Sequence, residues 1–66
     1  MTFYVSDFVD WCGELYLSTA DNAHEEAVDV WEFWDEDEGD WRDDAIRSAA
    51  ESQVKERYGA DAVIAW

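Results

Sequence analysis

Residues 1 to 41 contain thirteen Asp or Glu and not one Lys or Arg. Any element folded from this segment must therefore bury an apolar face and set uncompensated carboxylates opposite it. Residues 42 to 66 are almost neutral, with Asp43, Asp44, Glu51, Glu56 and Asp61 against Arg42, Arg47, Lys55 and Arg57, so nearly all of the net charge of −14 lies in the first segment. A field this one-sided repels nucleic acid and anionic membranes and attracts basic surfaces or cations.

A chain of 66 residues is one small domain that buries only about 60 % of its unfolded surface, so its core must be economical. Hydrophobic residues at 48 % and aromatics at 17 % exceed what a disordered acidic chain carries, which points to a folded protein. Cys12 is the only cysteine, so no internal disulfide forms. No stretch resembles a secretion signal or approaches the ~20 apolar residues that span a bilayer. A chain complete as written, monomeric and in a reducing cytoplasm is expected.

The apolar spacing predicts an α+β fold that is mainly α. Ser6 is placed to cap a first helix over about 6–17, with Phe8, Trp11, Cys12 and Leu15 on one face and Asp7, Asp10 and Glu14 on the other. Ser18 and Asp21 stand in capping-box spacing before a second helix over about 19–36, whose apolar stripe is Ala23, Ala27, Val30 and Trp34. At 100° per residue, Asp21, Glu25, Asp29, Glu32 and Glu36 fall within ~80° of one another on the opposite side. The competing reading is a strand over 28–34, because Val, Trp and Phe favour sheets.

The run from Asp35 to Asp40 forms a connection, with Gly39 as breaker and Asp40 as the next cap. A third helix over about 40–58 gathers Ala45, Ile46, Ala49, Ala50 and Val54 and stops at Gly59. The apolar ends, about 2–5 and 62–66, form a two-stranded β element.

A sphere holding 66 residues is roughly 28 Å across, and duplex DNA of that length carries ~16 phosphates. Net −14 approaches that density, and the stripe on the second helix would run ~22 Å. Its like-charge neighbours together lose ~1–2 kcal/mol of a total stability of ~3–10 kcal/mol, which suggests a use for the charge.

In its length, its base-free segment 1–41, the run Asp35-Glu36-Asp37-Glu38-Gly39-Asp40 and the Trp-rich elements Trp31-Glu32-Phe33-Trp34 and Trp41, the chain resembles the small acidic phage-encoded proteins that act as DNA mimics. Among these it is most similar to the anti-CRISPR proteins. The resemblance is compositional and spans the whole chain; such inhibitors share no motif, so no residue role is carried over by matching. It implies an inhibitor seated in the basic DNA channel of a Cas interference complex.

Other chemistry finds little support. With Asp35 at position 1 of an EF-hand loop, Gly39 falls at position 5 instead of 6 and Ile46 occupies position 12, so the calcium template fails and no metal site or cofactor is expected. His24 and Cys12 are the only imidazole and thiol and carry no catalytic signature, so no catalytic residue and no enzyme activity are expected. His24 reads as a boundary residue, Cys12 as a buried apolar group, and Trp11 and Trp34 as core. Phosphate neutralisation needs Lys and Arg, which argues against direct nucleic-acid binding.

The expected partner is thus a basic nucleic-acid-binding protein or Cas complex. Glu25, Asp29, Glu32 and Glu36 would supply a helical stripe, Asp35, Asp37, Glu38 and Asp40 a loop cluster, and Asp7, Asp10 and Glu14 an extension. Trp31, Phe33 and Trp41 are candidate anchors at its border. Two alternatives stand beside this: an antitoxin-like or adaptor module held by its aromatics, and a halophilic protein whose acids serve solvation.

Overall fold

The computed structural model describes residues 1–66, and the fold is mainly β. Six strands hold 39 % of the residues against a single α-helix, which overturns the expected three-helix α+β arrangement. The strands are β1 (Thr2–Val9), β2 (Glu14–Thr19), β3 (Glu25–Asp29), β4 (Trp34–Asp35), β5 (Asp40–Trp41) and β6 (Val63–Ala65), with α1 (Asp43–Tyr58) between β5 and β6. A mixed sheet is ordered β3-β2-β1-β6, and β4 and β5 form a separate hairpin.

Period two, not period 3.6, governs the first half of the chain. Along β2, Leu15, Leu17 and Thr19 are buried while Glu14, Tyr16 and Ser18 point the other way; along β3, Glu26 and Val28 are buried while Glu25, Ala27 and Asp29 are exposed. That alternation is what an antiparallel sheet covered on one face requires. The expected helix over 6–17 is instead the end of β1, a turn and the start of β2. Ser6 caps nothing: it is the extra residue of a bulge, since Val5 pairs with Leu17 and Asp7 with Tyr16. A one-residue insertion flips every side chain beyond it. Here it turns Asp7 outward and sets Phe8 opposite Leu15.

The expected helix over 19–36 is likewise absent. Ser18 lies in β2, and Asp21 completes no capping box with it but builds a tight connection from β2 to β3. The Asp21 carboxylate accepts from the Thr19 hydroxyl at 2.7 Å and the Ala23 N–H at 3.1 Å, while Asn22 takes φ 56°. These polar groups stabilise a turn as readily as a helix start. The strand considered over 28–34 lies instead at 25–29, and Trp31–Phe33 form a single 3-10 turn.

The third helix is present, but it begins at Asp43. Asp40 is a strand residue whose carboxylate accepts from the Trp41 N–H at 2.8 Å, and Arg42 precedes the helix without a side-chain cap. Ile46, Ala50 and Val54 are its buried residues, and the Gly59 N–H bonds the Lys55 carbonyl. The ends pair as parallel strands, Phe3 opposite Ile64. Phe3, Leu15, Leu17, Val28, Val30, Ala62 and Ile64 close the core against α1, with Phe33, Trp41 and Tyr58 packed at its margin. The molecule measures 37 × 20 × 16 Å.

Candidate partner-binding surface

The open face of the four-stranded sheet is acidic because the pleat leaves it no alternative. Strand partners share a face, so the register Asp7↔Tyr16↔Ala27, Glu14↔Asp29 and Ser18↔Glu25 puts Asp7, Glu14, Glu25 and Asp29 on the side away from α1. Their lattice is two-dimensional, with steps of ~3.3 Å along a strand and ~4.8 Å between strands. Tyr16 sits among them and donates its hydroxyl to the Glu14 carboxylate. That bond, with burial and the surrounding carboxylates, raises the Tyr16 phenol above its ordinary pKa. An open cavity of about 370 Å³ lies between Asp7, Tyr16 and Glu25.

A second acidic group occupies the β4–β5 hairpin. Asp35 is its organiser: Oδ1 accepts the Asp37 N–H at 3.0 Å and the Glu38 N–H at 3.3 Å, and Oδ2 meets Arg42 Nε at 3.4 Å. The Glu38 N–H, then the Asp37 N–H and the Arg42 charge, hold the Asp35 carboxyl below its usual range against the opposing effect of burial. Asp35 is therefore committed to the turn, and Glu36, Asp37, Glu38 and Asp40 remain exposed around it. The straight helical stripe through Asp21, Glu25, Asp29, Glu32 and Glu36 does not exist. Asp21 is in a turn, Glu25 and Asp29 are in β3, Glu32 is on the 3-10 turn and Glu36 is at the hairpin tip.

The third group is aromatic. Trp41 is its centre, with ring centroids 5.6 Å from Trp31, 5.0 Å from Trp34 and 5.6 Å from Phe8. Trp11 and Asp10 complete the wall of a pocket of about 360 Å³. Trp11 is 79 % exposed, Trp31 49 % and Trp34 37 %, so Trp11 and Trp34 are not core, because turning the first helix into a hairpin puts Trp11 at its tip. Of the three expected anchors, Trp31 is exposed whereas Phe33 and Trp41 pack against the core. Gly13 makes the cluster possible. At φ 65° it brings the backbone so close to the Trp31 indole that a Cβ there would lie 2.6 Å from ring atoms, and its carbonyl accepts the Val30 N–H at 2.8 Å. Asp29 Oδ1 fixes the neighbouring backbone by accepting the Trp31 N–H at 3.1 Å.

Glu26, Tyr16 and the roles of Trp11 and Trp34 escaped the sequence reading. Glu26 is 8 % exposed and faces the helix, where Arg57 Nε reaches its carboxylate at 3.1 Å and the Gln53 amide and Tyr58 hydroxyl donate at 3.2 Å. Burial and then the Glu26 charge raise the Tyr58 phenol above its ordinary pKa. The available signal was the alternation Glu26, Val28, Val30. Cys12 is half-buried in the hairpin turn, its thiol pushed up by burial and by Glu14. His24 is exposed, its ring 5.4 Å from that of Tyr58.

The four bases are all engaged: Arg42 with Asp35, Arg57 with Glu26, Lys55 with the Ala62 carbonyl at 3.0 Å, and Arg47 over the Trp66 ring at 5.5 Å. No three His, Cys, Asp or Glu side chains converge as a metal site would need. No helix is long and apolar enough to cross a membrane. No family model matches the chain, and no curated protein or solved structure shows a significant match to it.

Proposed function

We propose that the protein binds the basic, nucleic-acid-binding surface of another protein or complex and competes there with nucleic acid by offering carboxylates in place of phosphates. The observation that carries this reading is the outer face of the four-stranded sheet, where Asp7, Glu14, Glu25 and Asp29 share one surface with no base. Exposed Glu36, Asp37, Glu38 and Asp40 on the hairpin, with Glu32 and Asp10 nearer the indoles, add to the same field. Duplex DNA as long as the 37 Å molecule carries ~22 phosphates, so net −14 gives roughly two-thirds of its charge density. A two-dimensional carboxylate lattice suits a channel that recognises charge density more than one that follows a single strand. A Cas interference complex is the partner that the resemblance to anti-CRISPR proteins implies.

The test is capture of partners from a bacterial lysate on the immobilised protein, followed by elution with duplex DNA. Bound protein should be displaced by DNA, and its affinity should fall tenfold or more between about 50 and 200 mM salt. The triple variant Asp7→Lys, Glu25→Lys, Glu38→Lys should abolish capture. Retention of the same partner by that variant, or indifference to DNA, would refute the proposal.

The exposure of Trp11, Trp31 and Trp34 favours a second reading, an acidic module held by its aromatics. Such a module should lose its partner with Trp11→Ala and Trp31→Ala yet tolerate moderate salt.

A further inference from the structure

Four of the five Trp residues line one open pocket, and the only polar side chain in its wall is Asp10. Indole faces carry negative potential and attract a cation within about 6 Å of the ring centroid, Trp more strongly than Tyr or Phe. A carboxylate in the same wall adds to that attraction, and an anion approaching would meet a chain of net charge −14. An uncharged apolar ligand would draw nothing from Asp10. The charge of this wall favours a cation over an anion or a neutral ligand.

That cation does not come from the chain itself, because its four bases are already engaged elsewhere. One of them shows the pairing in miniature: the Arg47 guanidinium lies 5.5 Å from the ring centroid of Trp66, the one Trp outside the cluster. The other four indoles have no such partner, and Trp11 and Trp31 hold much of their surface in water.

We infer that the pocket receives an arginine side chain presented by the basic partner, its guanidinium stacked on an indole face and hydrogen-bonded to the Asp10 carboxylate. Arginine is favoured over lysine because a planar, weakly hydrated guanidinium stacks on aromatic rings and fits a carboxylate with two parallel N–H donors, whereas an ammonium is a compact, strongly hydrated point charge. The source of that arginine rests on the proposed function; the chemistry of the pocket does not. The pocket would give an otherwise diffuse electrostatic contact a fixed register, as a central aromatic anchor does in other interfaces.

The test uses the isolated 15N-labelled protein and N-acetyl-arginine amide, with the five indole Nε1–H signals followed by NMR. Saturable shifts should appear at Trp11, Trp31, Trp34 and Trp41 while Trp66, whose indole N–H donates to Glu51 at 3.0 Å, stays in place. N-acetyl-citrulline amide, of similar shape but uncharged, should bind about fivefold more weakly. Trp11→Ala and Asp10→Asn should each weaken arginine binding about two- to fivefold. Both residues are exposed, and an unchanged Trp66 signal verifies that the variants remain folded.

Equal binding of the citrulline derivative would overturn the inference, as would shifts at Trp66 equal to those of the other four, or no saturation. Tighter binding of tetramethylammonium than of the arginine derivative would reassign the pocket to quaternary ammonium ligands and refute the arginine assignment. The probe contains no partner protein. A failed titration therefore leaves the carboxylate reading standing, and a partner indifferent to DNA leaves the pocket assignment standing.

Discussion

Replacing Glu26 tests the fold where it departs most from helical expectation. Its carboxylate is buried on the inner face of β3 and accepts from Arg57 at 3.1 Å and from Gln53 and Tyr58 at 3.2 Å. Hydrogen bonds to a charged group contribute about 1.5–3 kcal/mol each, but the three do not sum. The Arg57 side chain is 62 % exposed and regains water, so its share is small. Gln53 also keeps its bond to the Ala27 carbonyl at 3.1 Å. Removing the carboxylate further relieves its own desolvation, so Glu26→Ala should lose about 2–3 kcal/mol, a large part of the ~3–10 kcal/mol available to a chain of this length.

Glu26→Leu should lose less, about 1 kcal/mol or under, because an apolar side chain of similar volume replaces a buried ion pair without leaving a cavity. A double-mutant cycle with Gln53→Ala should return a coupling of at least about 0.5 kcal/mol. The measurement is urea unfolding followed by far-UV circular dichroism and Trp fluorescence. If Glu26→Ala stays within about 0.5 kcal/mol of the parent, or if Leu is worse than Ala, then residue 26 does not face the helix and the period-two reading of β3 is wrong.

Gly13→Ala combines a left-handed φ, unfavourable by about 1–2 kcal/mol for a residue with a Cβ, with the 2.6 Å approach to the Trp31 ring. The melting temperature should fall by about 5 °C or more, and the Trp emission should shift to the red as Trp31 swings into water; an unchanged spectrum would contradict the close approach. Acid sensitivity should include a contribution from Asp35. Its folded pKa is depressed by the Glu38 and Asp37 N–H groups and by Arg42, so the stability it contributes is complete above the unfolded carboxylate range, about pH 4, and is lost as pH falls through the folded value. Asp35→Asn should flatten that part of the acid-unfolding curve, and an identical acid limb would refute the assignment.

Some of the fold was legible because its information is local. Ala45, Ile46, Ala49, Ala50 and Val54 repeat at helical spacing through a long segment that ends at a glycine, and the hydrogen bonds of such a helix close within four residues. The first half offered no such certainty. Phe8, Trp11, Cys12 and Leu15 fit one helical face, while Leu15, Leu17 and Thr19 fit one face of a strand, and apolar runs this short satisfy both patterns. β2 is a strand because β1 and β3 supply its hydrogen bonds on both sides and α1 covers its leucines. β1 and β3 lie only a short turn away on either side, but the helix that covers the leucines comes from the second half of the chain, and no propensity local to β2 reports it. The site followed the same division: that its acids would be exposed was legible, whereas which of them share a surface depended on strand pairing and on a bulge at Ser6 that turns Asp7 outward.

What the sequence alone determines is the charge: thirteen carboxylates without a base in 41 residues stay in water because burying an uncompensated charge costs far more than exposing it. The single exception, Glu26, is buried where the second half of the chain supplies Arg57, Gln53 and Tyr58. Tertiary structure decided the geometry. A pleat alternates side chains every residue and a helix every 3.6, so choosing strands turned an imagined line of acids into an acidic sheet face. It also drew four indoles, scattered from Trp11 to Trp41, around one pocket.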